Sequence, residues 1–238
     1  MHSKKLFLQA KEGQLPIDFS DWDMTDENGL TIADVAMENG VIPKDTDLIR
    51  LYNNRYTFAH VLARTGRLPE DYTDWHYTDV LGWSVAHEAA VSGNLPEHFS
   101  EWFIKDGDCG RTVLHTAAVH GTLPPSFSDW EMVDDDETIH FTISDNPGGK
   151  VAFIAARHGT LPSHFNEWDI TDATGRTVAH EAARYGTLPA DFTRWDLANE
   201  DGRTVAHEAA RHGRLPKNFS SWDLVDEAGC TVAEEAAF

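Results

Sequence analysis

The chain has 238 residues, of which 41% are apolar and 25% charged, with eight tryptophans. That composition excludes a disordered polymer and supplies enough apolar side chains for a core. The formal net charge of −21 argues against direct nucleic-acid binding, because a phosphate backbone is repelled, and it favours solubility and basic partners.

In chain order, the N-terminal MHSKKLFLQAKEG carries an apolar run too short for a secretory leader. No later stretch approaches the ~18 apolar residues of a membrane span. A soluble cytoplasmic protein with no membrane contact is expected. Cys109 and Cys230 form no CxxC pair, so neither a disulfide framework nor a thiolate zinc site is expected. Lys4 to Glu12 reads as a first capping helix with Ser3 at its N-cap.

From there a Leu-Pro dipeptide recurs at Leu15, Leu68, Leu95, Leu123, Leu161, Leu188 and Leu215, with Ile42-Pro43 filling one gap. The steps are 27, 26, 27, 28, 38, 27 and 27 residues. Trp22, Trp75, Trp102, Trp130, Trp168, Trp195 and Trp222 keep the same register. The unit is clearest from Thr177 to Arg203. Thr177 is suited to cap a helix over VAHEAAR, whose Val178, Ala179, Ala182 and Ala183 form one apolar face. Gly186 is suited to end it in the left-handed conformation. Pro189 then starts a second, short helix carrying Phe192 and Trp195 on one face. One unit cannot bury both apolar faces alone, so the units must stack. Nine copies of the first helix and eight of the Leu-Pro segment are expected.

The phrase T-V-A-H-E-A-A-x-x-G at 177–186 and 204–213 resembles the ankyrin signature T-P-L-H-x-A-A-x-x-G, and the preceding D-x-x-G-R resembles the ankyrin turn. The likeness covers nearly the whole chain, through Asp79, Asp172 and Asp226 and through His60, His87, His115, His180 and His207. Valine stands where ankyrin repeats have proline. The unit is about six residues shorter than the ankyrin one, at the expense of the second helix and the finger. The resemblance implies an all-α helical solenoid of stacked helix-turn-short-helix repeats, with structural histidines hydrogen-bonded to the loops. It also implies a concave groove lined by the residue after each histidine and the two after each Ala-Ala. These are Glu88, Val91 and Ser92; Thr116, Val119 and His120; Glu181, Arg184 and Tyr185; Glu208, Arg211 and His212.

The expected layout is one solenoid over 1–238: a cap at 1–13, repeats at 14–130, an insertion at 131–150, repeats at 151–230 and a cap at 231–238. The second unit is degenerate, with Asp34 in the histidine position and Ile49 where tryptophan is expected. The last unit has Glu234 in the histidine position. In the insertion, Ile139, Phe141 and Ile143 alternate with polar residues as in a short strand, and Asp145–Gly149 reads as a turn. It is either part of a binding face or a tolerated surface loop. The unrepeated Asp134, Asp135, Asp136 and Glu137 read as a solvated loop or a contact for a basic partner; they lack calcium-loop spacing.

His207-Glu208 opens like a zincin motif, but His212 stands at i+5, about 140° around the helix, so the two cannot share an ion. Asp169, Asp196 and Asp223 recur once per unit, as turn and cap residues do. Arg157, Arg184 and Arg211 also recur, beside glutamates. Dinucleotide, phosphate-loop and nucleophile-elbow motifs are absent. No catalytic residue, cofactor or metal is expected. The reading is a non-enzymatic protein-binding solenoid. It recognises its partner through Glu181, Arg184, Tyr185, Glu208, Arg211, His212 and His120, together with Asp134–Glu137 and Phe141. The rival reading is an acidic DNA mimic of the kind made by bacterial viruses, acting as an inhibitor of a nucleic-acid-binding enzyme or defence complex. An enzyme would have to use the unrepeated His140 and Asp145.

Overall fold

The computed structural model describes residues 2–16, 18–40, 47–49, 51–52, 56–107, 110–133 and 149–237. Among them are nine helices: α1 (His2–Lys11), α2 (Ile32–Glu38), α3 (Phe58–Thr65), α4 (Val85–Ser92), α5 (Val113–His120), α6 (Val151–His158), α7 (Val178–Tyr185), α8 (Val205–Arg211) and α9 (Val232–Glu235). None among the described residues is long and apolar enough to cross a membrane.

Each helix starts and stops for local reasons. Thr177 is the extended N-cap of α7, and its hydroxyl accepts from the His180 N–H. Ser84 and Thr204 cap α4 and α8 in the same way. The glycines at 66, 93, 159 and 186 end α3, α4, α6 and α7 with φ between 67° and 74°, a conformation that favours glycine. Between caps lie the small residues that allow close stacking: Ala89, Ala90, Ala117, Ala118, Ala155, Ala156, Ala182 and Ala183 are all buried.

The Leu-Pro segment, expected as a second helix, closes only one turn. Phe192 N–H donates to the Pro189 carbonyl at 3.0 Å and Phe165 N–H to Pro162 at 2.9 Å. The shortened unit leaves no residues for further turns. Its aromatic pair still does the work of a helix face, stacking edge-on from repeat to repeat. Trp168–Phe192, Phe192–Trp195 and Trp195–Phe219 have centroids 5.3, 5.3 and 5.6 Å apart at 75–89°. Such edge-to-face pairs contribute about 0.5–1.5 kcal/mol each beyond burial.

Two further expectations change. Ser3 lies inside α1, which begins at His2, so it is not an N-cap. In the degenerate second unit Leu48, not Ile49, stands in the tryptophan position. Its carbonyl accepts from Ala59 N–H at 2.9 Å, as Trp75 accepts from Ala86 and Trp168 from Ala179. Leu48 packs against the core cluster that contains Phe58 and Leu62, while Ile49 is 42% exposed. Finally, the described strands are β1 (Leu51–Tyr52) and β2 (Tyr56–Thr57), an antiparallel pair in that same unit. The strand read at Ile139–Ile143 lies outside the described residues, as do Asp134–Glu137 and Phe141. The bridge Val133↔Lys150 closes the base of the insertion.

The contacts fall into two compact units, Met1–Val113 and Leu114–Phe238. In the first, α1 packs on α2, α2 on α3 and α3 on α4; in the second, α6 packs on α7, α7 on α8 and α8 on α9. Each unit is a stack of helical repeats.

Candidate functional site

What can act as a site depends on which side chains the stacking consumes. The histidines are consumed first. In α7, His180 Nδ1 lies 2.7 Å from Thr177 Oγ1 and accepts from Thr177 N–H at 3.3 Å, while Nε2 lies 2.9 Å from the Arg203 carbonyl of the following turn. A carbonyl only accepts, so Nε2 carries the proton and the ring is neutral. His60 and His207 make the same contacts, reaching the carbonyls of Trp83 and Cys230 at 2.8 and 3.0 Å, and His87 spans from Ser84 Oγ at 2.6 Å to the Arg111 carbonyl at 2.8 Å. Desolvation holds the His60 and His180 pKa values below the usual imidazole value. The degenerate units keep half of this lock. Asp34 and Glu234 accept from the Thr31 and Thr231 N–H at 2.7 and 2.8 Å.

The aspartates expected in turns are consumed next. Asp172 Oδ1 accepts from Thr174 and Arg176 N–H at 2.8 and 3.0 Å, and Asp79 does the same for Leu81 and Trp83 at 2.8 and 2.9 Å. Among the described residues, no group of three His, Cys, Asp or Glu side chains is placed to hold a metal ion. The clefts between successive Leu-Pro segments, one of about 250 Å³, are lined by the same leucines, prolines and aromatics that build each repeat.

The expected groove residues divide. Glu181 is fully buried and is not an exposed contact. Its Oε1 accepts from Arg157 Nε and Nη2 at 3.0 and 2.8 Å, and its Oε2 from Arg176 Nη2 at 2.7 Å. Thr116, at the same register in α5, is also buried. Glu208 is half-buried, its carboxylate 3.3 Å from His212 Nε2. Glu88 lies 3.6 Å from Arg64, and desolvation raises its pKa.

The positions nearest each C-cap glycine stay open. His120, His158, Arg211 and His212 are exposed, and Arg184 and Tyr185 are half-buried. The guanidinium carbons of Arg157 and Arg184 lie 5.4 and 5.7 Å from the Tyr185 ring centroid. Arg214 Nη1 donates to the Arg184 carbonyl. Partial desolvation, then the charges of Arg157, His115 and His120, lower the His158 pKa, so these groups share one neighbourhood. In the unit Leu114–Phe238, cations and rings therefore gather at the helix C-terminal ends. The exposed Asp169, Asp196 and Asp223 sit in turns beside the helix starts, where Ala179, Ala206 and Ala233 donate to the preceding tryptophan carbonyls. One helix length, about 12 Å, separates these cations from that acidic row, and each lies at the end the helix dipole favours, although Arg194 approaches Asp169 of the row at 3.6 Å.

Two kinds of residue escaped the sequence reading. Arg176 looked like a turn residue but reaches the buried Glu181. The residue after each C-cap glycine ties repeats together: Thr187 Oγ1 donates to the Ala156 carbonyl, and Asn94 Nδ2 to Ala63 and Arg64 at 2.9 and 3.1 Å. The available signal was a polar side chain between Gly and Leu-Pro at Asn94, Thr122, Thr160 and Thr187.

No protein-family model matches the chain, and no curated protein matches it. Among solved structures it is similar to the ankyrin repeat domain of Bcl-3, a member of the IkappaB protein family. The identity is 17%, over 75% of this chain and 92% of that one, with a TM-score of 0.46. Capped helices, turns pinned by aspartate and histidine locks between neighbours make each unit a stack of ankyrin-like repeats.

Proposed function

We propose that the chain is a non-enzymatic protein-binding scaffold. It recognises a macromolecular partner through the exposed ends of its repeat helices and through the 131–150 insertion, in the cytoplasm of the cell where it acts. One observation carries this reading. The Ala-Ala positions are identical from α4 to α8, while the position before each helix-ending glycine reads Ser92, His120, His158, Tyr185 and His212. A fixed core with a changeable rim suits recognition, whereas catalysis needs one convergent site, and residues that recur once per repeat argue against one. The test is affinity capture with the tagged protein beside its Y185A/H212A variant. A partner retained by both overturns the helix-end reading. A partner lost by the variant at unchanged melting temperature supports it.

The row Asp169, Asp196 and Asp223 favours a second reading, in which acidic turns occupy the basic channel of a nucleic-acid-binding enzyme. That reading requires a basic partner whose binding weakens steeply with salt and survives Y185A/H212A.

A further inference from the structure

We propose that the groove beside α1 is a second binding site, which takes an amphipathic helix of a partner protein with two carboxylates seven residues apart. The inference goes beyond the helix-end reading and does not rest on it. The groove belongs to the unit Met1–Val113, whereas Tyr185 and His212 belong to the other.

Three observations lead to it. First, α1 divides its side chains. Ala10 joins the core with Ile32 and Ala36 of α2, and Leu6 packs against that cluster. Lys4, Phe7, Leu8 and Lys11 line a cavity of about 550 Å³, whose other walls are Val35 and the turn 25–27. These four stand at i, i+3, i+4 and i+7, one stripe along a helix. The volume lies in the range of ligand sites. Leu8 is 54% exposed, although the same register position is buried as Val61, Thr116 and Glu181 in later repeats.

Second, the cations at the two ends of the stripe are uncommitted. Among the described residues, the Lys4 and Lys11 side chains form no ion pair. The facing turn is different. Asp26 Oδ1 accepts from Asn28 and Leu30 N–H at 2.8 and 3.0 Å. Glu27 is exposed and repels a carboxylate placed on the wall away from α1. The groove is therefore apolar in the middle and cationic along α1 alone. In a chain of net charge −21, its complement is a segment that turns carboxylates toward α1.

Third, the lysine spacing selects a helix. At about 1.5 Å per residue, Lys4 and Lys11 stand roughly 10.5 Å apart along α1. A partner helix with acids at i and i+7 matches this distance and puts i+3 and i+4 on the same face between them. A β-strand alternates faces. A polyproline II segment brings every third residue to one face, so no side chain enters the groove between two acids at this distance. An anionic bilayer meets the repulsion of the whole chain, and Leu6 and Phe7 are half-buried in the protein.

The intact protein is titrated by fluorescence anisotropy with two labelled alanine-based peptides of equal composition. One contains Glu-Ala-Ala-Leu-Leu-Ala-Ala-Glu, and its isomer contains Glu-Leu-Ala-Ala-Ala-Ala-Leu-Glu. The first is expected to bind roughly tenfold or more tighter, since only it brings both leucines into the groove between the acids. L8D and K4E/K11E are each expected to remove that preference at unchanged melting temperature, because all three side chains are exposed. The K4E/K11E protein is expected to regain it for the two peptides with Lys in place of Glu. Equal affinity for the two isomers, no binding of either, or failure of the charge swap overturns the proposal. Uptake by phosphatidylserine vesicles without a preference between the peptides makes the occupant a membrane and overturns it too. Loss of the preference in Y185A/H212A at unchanged melting temperature overturns the placement at α1. If that variant keeps both the natural partner and the preference, the helix-end reading fails and this site stands.

Discussion

Replacing Glu181 by alanine separates a structural carboxylate from a binding one. Glu181 has no exposed side-chain surface, and it is contacted by Arg157 with 12% and Arg176 with 22% side-chain exposure, at 2.7–3.0 Å. Removing it leaves two guanidinium groups facing a cavity, and breaking a buried pair in this way costs about 3–5 kcal/mol. At roughly 2–4 °C per kcal/mol for a chain of this size, E181A should lower the melting temperature by about 6–20 °C. Arg211→Ala should change stability by at most about 1 kcal/mol, since its pair is exposed. Urea unfolding followed by tryptophan fluorescence gives the comparison. A triple replacement, R157M/R176L/E181M, should recover most of the loss, because a buried ionic group exchanged for apolar volume is often neutral. If E181A proves no more costly than R211A, Glu181 is not the buried keystone that its contacts imply.

Four further outcomes follow from the same geometry. The His60 and His180 pKa values lie below 6.5 in the folded chain. Their contribution is therefore complete above pH 6.5 and is lost as pH falls below it, where the unfolded chain takes up the proton first. Urea midpoints between pH 8 and 5 should show a slope that flattens in H60Q/H180Q. Gly82→Ala must place Cβ 2.5 Å from the Gly107 Cα at φ +79°, whereas Gly213→Ala at φ +65° meets nothing within 4 Å. The second should cost about 1–2 kcal/mol and the first about 1–3 more, as read by thermal unfolding. Thr187→Val leaves the Ala156 carbonyl with only the Gly159 N–H and should cost about 0.5–1.5 kcal/mol, with faster hydrogen exchange at the end of α6. Leu48→Ala should destabilise by about 2–5 kcal/mol and Ile49→Ala by under about 1, the reverse of what tryptophan spacing alone suggests.

The repeat, its caps and its stacking were legible because they recur. A threonine, a histidine three residues on and a glycine at the end state the same local chemistry in unit after unit, and α7 realises each part. What could not be read is which side chains, beyond the histidines, reach from one repeat into the next. Arg176 and Thr187 act across a repeat boundary, so their own units give no sign of their partners. The exchange of Ile49 for Leu48 follows from backbone register, which a tryptophan ruler cannot follow once the tryptophan is gone. The short second helix was over-read because Pro, Phe and Trp suit a first turn equally well whether or not a second turn follows.

The same distinction bears on where recognition can evolve in such a chain. Thr116, Glu181 and Glu208 occupy one register position, yet the first two are buried and the third is half-buried. The difference lies in the neighbour: Glu181 meets Arg157 behind it and Arg176 below it. A position whose exposure is decided by the adjacent repeat cannot vary freely, since each change must be matched 24 residues away, as the Arg157–Glu181 pair is. The position before the C-cap glycine lies beyond the last buried alanine. It carries serine, histidine and tyrosine in different repeats without altering the Gly93, Gly159 or Gly186 cap. Helix ends are thus the part of each stack where chemistry can change without disturbing the buried alanines or the glycine caps. The dipole there also favours cations, which places positive charge on an otherwise acidic protein at the site most open to selection.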